Sequence, residues 1–150
     1  MSYQKKYIGL QITQNMFTSD TQIRVRYGET DKMGIVYYGN FPLYFEVGRT
    51  ELIRKCGLTY RKLEDDGIVM PVISLNIKYH RPAYYDNLLT IRTIMRELPG
   101  VRINFRYEII NENKELIAEG ETTLVFTNAK TKRPRKAPDY LLEALRPFFV

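Results

Sequence analysis

Carboxylates are the side chains of this sequence best suited to chemistry, and one of them has a distinctive position. The candidates are Glu29, Asp31, Glu46, Glu51 and Asp86. Asp31 lies in a loop that leads, nine residues later, to Asn40, where a helix is predicted to start. Free backbone N–H groups at a helix start can receive developing negative charge. A carboxylate facing such donors suits attack on a carbonyl group, either directly or through a water molecule that it activates. The alternative is that Asp31 only caps a turn.

Other kinds of catalytic site lack the residues that they need. The sequence contains one histidine and one cysteine, which excludes zinc sites built from several such ligands, and we expect no metal. No G-x-S-x-G motif accompanies His80, so a Ser-His-Asp relay is not indicated. We expect His80 to have a structural or surface role and to lie away from the Asp31 loop. Cys56 falls on the apolar side of the predicted helix, which favours a buried, unreactive thiol.

The elements that would position Asp31 follow from hydrophobic periodicity. Alternation of Ile23, Val25 and Tyr27 predicts a first strand. The helix is predicted to start with Asn40 as its N-cap and to end at Gly57, while Gly48 inside it indicates a close approach to the sheet. Further periodic segments predict a helix over 59–66, strands over 73–79, 89–95, 101–109 and 116–127, and a helix over 139–145. This order predicts an α+β fold, with a helix on one face of an antiparallel sheet.

Length and composition bound the other expectations. The 150 residues predict a single domain over 21–150, preceded by an N-terminal extension over 1–20. We expect a cytoplasmic protein without stable membrane insertion, because no signal peptide and no apolar run of about 20 residues is present. The net charge of +6 favours an anion site. No block of five like charges occurs, so we expect no nucleic-acid partner.

A family resemblance rests on three segments of the sequence. The central one is YGETDKMGIVYYGNFPLYFEVGRTELIRKCGL, which begins at Tyr27. It closely resembles the pattern Y-x-[DE]-T-D-x-x-G-x-V-Y-[HY]-x-N-[YF], followed by F-E-x-x-R-T-E, of the 4-hydroxybenzoyl-CoA thioesterase family of hot-dog fold acyl-CoA thioesterases. The later segments MPVISLNIKYHRPAYYDNLLTI and AEGETTLVFTNAKTKRPRKAP are also similar to that family. The likeness covers about residues 21–140.

The resemblance implies a hot-dog fold, in which a curved antiparallel sheet wraps a long central helix, and assembly into a homodimer or homotetramer. It implies an enzyme that hydrolyses acyl-CoA, with Asp31 as nucleophile or general base. The backbone N–H of Tyr38, with Gly39 and Asn40 beside it at the helix start, would form the oxyanion hole. Tyr38 stands where many bacterial acyl-CoA enzymes of the family carry histidine. The sequence therefore does not identify the acyl group of the substrate.

Coenzyme A would enter as part of the substrate, and no other cofactor is expected. Its phosphates need basic partners. The candidates are Arg102, Arg106, Lys130, Lys132 and Arg133, acting within one subunit or across a subunit boundary. The alternative function is a non-catalytic hot-dog protein that binds acyl-CoA or an acyl carrier protein. A hot-dog dehydratase is less favoured, because those enzymes usually rely on histidine.

Overall fold

The computed structural model describes residues 16–149, and its main element is a five-stranded sheet. The sheet has the order β1-β4-β5-β6-β3, and every neighbouring pair is antiparallel. Its strands are β1 (Phe17–Arg24), β3 (Val72–Tyr79), β4 (Leu88–Met95), β5 (Arg102–Ile110) and β6 (Leu116–Val125). Two short strands, β2 (Ile68–Val69) and β7 (Thr127–Asn128), pair separately.

Three α-helices accompany the sheet in the described part of the chain. They are α1 (Phe41–Lys55), α2 (Tyr60–Asp65) and α3 (Asp139–Leu145). Short 3-10 turns occupy Tyr27–Glu29, Tyr38–Asn40 and Arg146–Phe149. Within residues 16–149, no helix is both long enough and apolar enough to cross a membrane. The predicted α+β architecture, one long helix against an antiparallel sheet, is confirmed.

The first strand lies earlier in the chain than the sequence pattern predicts. Strand β1 pairs with β4 along its whole length, from Phe17 opposite Met95 to Arg24 opposite Leu88. It ends there because a 3-10 turn begins at Tyr27. Most of the predicted N-terminal extension, residues 1–15, lies outside the described residues, while residues 17–20 belong to β1.

Helix α1 packs closely on the sheet, chiefly on β1, β4 and β5. The ring of Phe45 is stacked on that of Tyr107, with the centroids 4.2 Å apart. Gly48 lies directly over β4, where an added Cβ would stand 2.8 Å from Cγ2 of Ile91 and would collide with the side chain of Thr93. The close approach predicted at Gly48 is therefore confirmed.

Within residues 16–149, the edge strand β3 is left uncovered on the side that faces the helix. Leu75 pairs with Thr122, and opposed residues of antiparallel strands share a face of the sheet. Since the hydroxyl of Thr122 bonds to that of buried Tyr107, this is the core face. Nevertheless Ile73 is 52% exposed, Leu75 47% and Tyr79 49%. An apolar stripe therefore runs along β3 beside the helix.

Candidate active site

A tight turn holds Asp31 in place. Thr30 and Val36 form an antiparallel bridge that closes the turn. Inside it, the Asp31 N–H donates to the carbonyl of Ile35 (2.9 Å), and the Gly34 N–H donates to the carbonyl of Asp31 (3.0 Å). Gly34 has a φ of 76°, a left-handed conformation that glycine adopts without steric cost. The backbone around Asp31 is therefore well defined.

The two carboxylate oxygens of Asp31 have different surroundings. Oδ1 accepts a hydrogen bond from the Met33 N–H at 2.8 Å, as in an Asx turn. Among the described residues, no donor reaches Oδ2. Asp31 also contributes to the wall of a cavity. One anionic oxygen is thus held by the turn, while the other is available for chemistry.

The helix starts after Asn40, which is its N-cap residue as predicted, but the Asn40 side chain does not make the expected capping bond. The Asn40 side chain caps no helical N–H; it donates instead to the carbonyl of Glu29 at 2.8 Å. Its own N–H donates to the carbonyl of Tyr37 at 2.9 Å. Asn40 is the N-cap residue, as predicted, but the side-chain capping bond is not made, and a 3-10 turn over Tyr38–Asn40 leads into the helix. Asn40 therefore holds the turn, and its N–H is not free to bind a ligand.

The free donors lie one and two residues earlier. Among the described residues, neither the Tyr38 N–H nor the Gly39 N–H has a hydrogen-bond acceptor. The carbonyls of the same two peptide groups are both occupied. Tyr37 O accepts from the Asn40 N–H, and Tyr38 O accepts from the Tyr79 hydroxyl at 2.9 Å. Of the three positions predicted to hold an oxyanion, Tyr38 and Gly39 retain free N–H groups.

Glu29 is a second carboxylate in this region, but its oxygens are engaged. Oε1 accepts from the Arg26 N–H (2.8 Å) and the Tyr44 hydroxyl (3.1 Å), and Oε2 accepts from the Arg26 guanidinium. Burial by itself raises the pKa of Glu29, but the hydrogen bonds from Arg26 and Tyr44 outweigh it and hold the pKa below its usual value. Because its carbonyl also accepts from the Tyr37 N–H and the Asn40 side chain, Glu29 ties the acidic turn to the helix start.

The cavity beside Asp31 has a volume of about 470 Å³. Its wall is largely apolar and includes Met33, Ile35, Val36, Phe41, Pro82 and Ala83. Tyr38 and Tyr79 line it as well. The cavity thus places a carboxylate and the Tyr38 turn around one apolar space, an arrangement that suits a ligand with an apolar body and a reactive carbonyl.

His80 lies in the wall of the same cavity, so the expectation that it lies away from the Asp31 loop is wrong. The segment after β3 passes beside the acidic turn, where the Val36 N–H donates to the carbonyl of Ala83 at 2.8 Å. Periodicity does not reveal that crossing. Nε2 of His80 lies 3.4 Å from Oε2 of Glu119, an ion-pair contact when the imidazole is protonated.

The five basic residues predicted to bind coenzyme A do not line this cavity within one subunit. Arg106 lies near Glu119 (3.8 Å) and Glu121 (3.7 Å). Arg102 begins β5, and Lys130, Lys132 and Arg133 follow β7. Arg81, which the sequence analysis did not name as a candidate, does line the cavity, and its guanidinium pairs with Glu115 at 3.0 Å. Binding of coenzyme A by these five basic residues stays a prediction.

The structure also bears on the two other kinds of catalytic site considered from the sequence, a reactive cysteine and a metal centre. Burial raises the pKa of Cys56 to about 11, and its Sγ lies 3.6 Å from the carbonyl of Leu52. The thiol is therefore protonated at neutral pH. Within the described residues, no group of three or more His, Cys, Asp or Glu side chains is placed to hold a metal ion.

Comparison with known proteins shows the family to which the chain belongs. A family model described as the thioesterase-like superfamily matches residues 25–145. The chain belongs to this superfamily. A DHNA-CoA thioesterase from Staphylococcus aureus is 36% identical in sequence, with a TM-score of 0.81 over 87% of this chain and 89% of that one.

Two further relatives agree with this assignment. The acyl-CoA thioester hydrolase YbgC of Escherichia coli is 28% identical over 116 residues, which cover 77% of this chain and 87% of that protein. A 4-hydroxybenzoyl-CoA thioesterase variant in complex with 4-hydroxybenzoyl-CoA is 26% identical, with a TM-score of 0.75 over 85% of this chain and 98% of that one. The predicted hot-dog fold and the predicted resemblance are confirmed, and the thioester hydrolase class is confirmed at the level of the family.

Proposed function

We propose that the protein is an acyl-CoA thioesterase that hydrolyses the thioester of a small acyl- or aroyl-CoA to the free acid and CoA. The observation that carries the proposal is an apolar cavity beside Asp31 Oδ2, which has no hydrogen-bond donor within residues 16–149. In the adjoining turn, the N–H groups of Tyr38 and Gly39 have no acceptor within the same residues. The names of the relatives support the same activity.

In the proposed reaction, Asp31 acts in one of two ways. As a nucleophile, its oxygen attacks the thioester carbon, the carbon–sulfur bond breaks, and the resulting mixed anhydride is hydrolysed by water. As a general base, it takes a proton from a water molecule that attacks the same carbon. In both cases negative charge develops on the carbonyl oxygen, where the N–H groups of Tyr38 and Gly39 would stabilise it.

The leaving group explains why such a small set of residues suffices. By analogy with cysteine, a thiol has a pKa of about 8.5, so CoA can leave as a thiolate without a proton donor. An amine leaving group from an amide must be protonated as it departs, and no general acid is assigned at this site. We therefore expect hydrolysis of thioesters and not of amides.

The test is a substrate panel with thiol release as the readout. It would contain short and medium aliphatic acyl-CoA esters, aroyl-CoA esters, an acyl group on an acyl carrier protein, and an amide analogue. We expect turnover of small acyl- or aroyl-CoA, no turnover of the amide, and full activity in the presence of a chelator. Tight acyl-CoA binding without thiol release across the panel would overturn the proposal in favour of a non-catalytic binding protein. The cytoplasmic location stays a prediction.

For assembly, we propose that two copies pair through β3 into a continuous sheet. Strand β3 is an edge strand, hydrogen-bonded on one side to β6, and its helix-facing stripe of Ile73, Leu75 and Tyr79 is exposed. Long apolar edges are normally covered, because they otherwise promote aggregation. A second copy would cover the stripe and complete the hydrogen bonds. Sedimentation velocity tests whether the protein is a monomer, a dimer or a dimer of dimers.

A substitution on this stripe checks the assembly. We expect Leu75→Lys to give a monomer, because it places a charge where the second copy would pack. Leu98→Lys is the matched control: Leu98 is also exposed, at 36%, and lies in the connection between β4 and β5, which β6 separates from β3 in the sheet. The control should sediment like the parent. A Leu75→Lys variant that sediments like the parent would contradict pairing through β3.

A further inference from the structure

Tyr79 ends strand β3, and its side chain makes a single polar contact with the residues that the structure describes. Its hydroxyl donates to the carbonyl of Tyr38 at 2.9 Å. Its ring meets the ring of Phe41 edge-on, with centroids 5.3 Å apart, and that of Tyr38 at 6.4 Å. The ring contacts orient the side chain, so the hydroxyl is directed at one peptide group of the turn before α1.

Because a peptide group is planar, this contact at the Tyr38 carbonyl also affects the N–H at the other end of the same group. In a trans peptide, the C=O and N–H bonds point in opposite directions within one plane. A hydrogen bond at the Tyr38 carbonyl therefore also fixes the direction of the Gly39 N–H. The Asn40 N–H bond to the Tyr37 carbonyl fixes the Tyr38 N–H in the same way. Each free N–H of the turn thus belongs to a peptide group whose carbonyl is held.

The bond also changes the strength of the donor. A hydrogen bond accepted by an amide carbonyl polarises the amide, and the N–H of that group becomes a better donor in turn. The Tyr79 hydroxyl therefore favours accumulation of negative charge next to the Gly39 N–H. No part of this effect requires Tyr79 to touch the substrate.

We propose that Tyr79 is a positioning residue for the oxyanion hole, because its hydroxyl orients and polarises the Tyr38–Gly39 peptide group. The inference rests on the proposed thioesterase function. It assigns a role to a residue of β3, which sequence analysis did not connect with the Asp31 loop.

The protonation state of Tyr79 agrees with this role. Burial raises the pKa of the hydroxyl, and nearby Tyr38 raises it further. Because the folded pKa lies above the ordinary tyrosine value of about 10, the hydroxyl remains a donor throughout the neutral and mildly alkaline range. Any loss of activity that comes from deprotonation of Tyr79 is confined to pH values above that ordinary pKa.

The kinetic experiment compares Tyr79→Phe with Tyr84→Phe. The first variant removes the hydroxyl and keeps the ring contacts with Phe41 and Tyr38. The second removes a hydroxyl that has no hydrogen-bond partner among the described residues, on a side chain that is 52% exposed. We expect kcat of Tyr79→Phe to fall roughly 10-fold, less than the 10²–10³-fold that loss of a whole oxyanion donor costs. Its KM should stay within about twofold of the parent value, because the contact matters only as charge develops. Tyr84→Phe should match the parent.

A second readout does not depend on turnover. The Gly39 amide resonance in a ¹H–¹⁵N spectrum should move upfield in Tyr79→Phe and stay in place in Tyr84→Phe. A kcat for Tyr79→Phe equal to that of the parent would overturn the inference. So would a loss of kcat with an unmoved Gly39 resonance, since the ring or the fold would then be responsible. If the parent releases no thiol from any acyl-CoA, the proposed function fails, and an unmoved resonance alone still overturns the positioning contact.

Discussion

Asp31→Asn is expected to lower kcat for acyl-CoA hydrolysis by about 10²–10⁴-fold, the range that loss of a catalytic base produces. A neutral amide is a poor nucleophile and a poor base, whichever route the carboxylate takes. The amide oxygen can still accept the hydrogen bond that the Met33 N–H donates to Oδ1, so the turn should keep its shape. Acyl-CoA should therefore bind with nearly unchanged affinity. Thiol release measures the first expectation, and titration calorimetry on the inactive variant measures the second.

The matched control is Asp86→Asn. Asp86 is an exposed turn residue with a φ of 68°, a conformation that asparagine tolerates, and its carboxylate lies 4.0 Å from Arg24. The same loss of charge there should leave kcat within about twofold of the parent, as for a surface substitution away from the site. Near-normal hydrolysis by Asp31→Asn would remove Asp31 from the mechanism.

Gly120→Ala is expected to destabilise the fold by about 2–3 kcal/mol, in the range of overpacked cores. Gly120 lies in β6, between Ile77 of β3 and Tyr107 of β5. An added Cβ would stand 2.6 Å from a ring carbon of Phe45 and would also collide with the backbone carbonyl of Asn76. The ring cannot withdraw easily because it is already stacked on Tyr107, and the carbonyl belongs to the neighbouring strand. At this chain length, such a loss lowers Tm by roughly 4–12 °C.

Gly100→Ala serves as the comparison for this stability measurement. An added Cβ at Gly100 would meet no atom within 4 Å. We expect its free energy of unfolding to stay within about 0.5 kcal/mol of the parent value. Denaturant titration should show a lower midpoint for Gly120→Ala with an unchanged slope. Equal midpoints for the two variants would mean that the strands separate enough to admit a methyl group.

The two glycines illustrate which parts of the fold the sequence predicts. Gly48 lies inside a predicted helix, where glycine costs stability, so its presence indicates a close approach, and the structure has one. Gly120 lies in a polar segment of a strand and carries no such signal. What occupies the space above it depends on Phe45, 75 residues earlier in the chain. Local periodicity encodes the elements but not these distant contacts.

The candidate site likewise contains residues that the sequence predicts and residues that it does not. Asp31, Tyr38 and Gly39 are neighbours in the chain, so one motif predicts them together. Tyr79 at the end of β3 and the next two residues, His80 and Arg81, reach the cavity where the chain passes beside the acidic turn. That crossing depends on long-range backbone contacts such as the bridge between Ile35 and Tyr84, which hydrophobic patterns do not specify.

Strand β3 has a consequence for how activity would depend on protein concentration. Its middle is the proposed junction between two copies, and its last residue, Tyr79, holds the peptide group that would stabilise the reaction's negative charge. A strand that is hydrogen-bonded on one side only is less firmly held than one bonded on both. If the copies separate on dilution, Tyr79 loses part of its support. The specific activity of the enzyme would then decrease with dilution even though the Asp31 turn and its hydrogen bonds lie within one subunit.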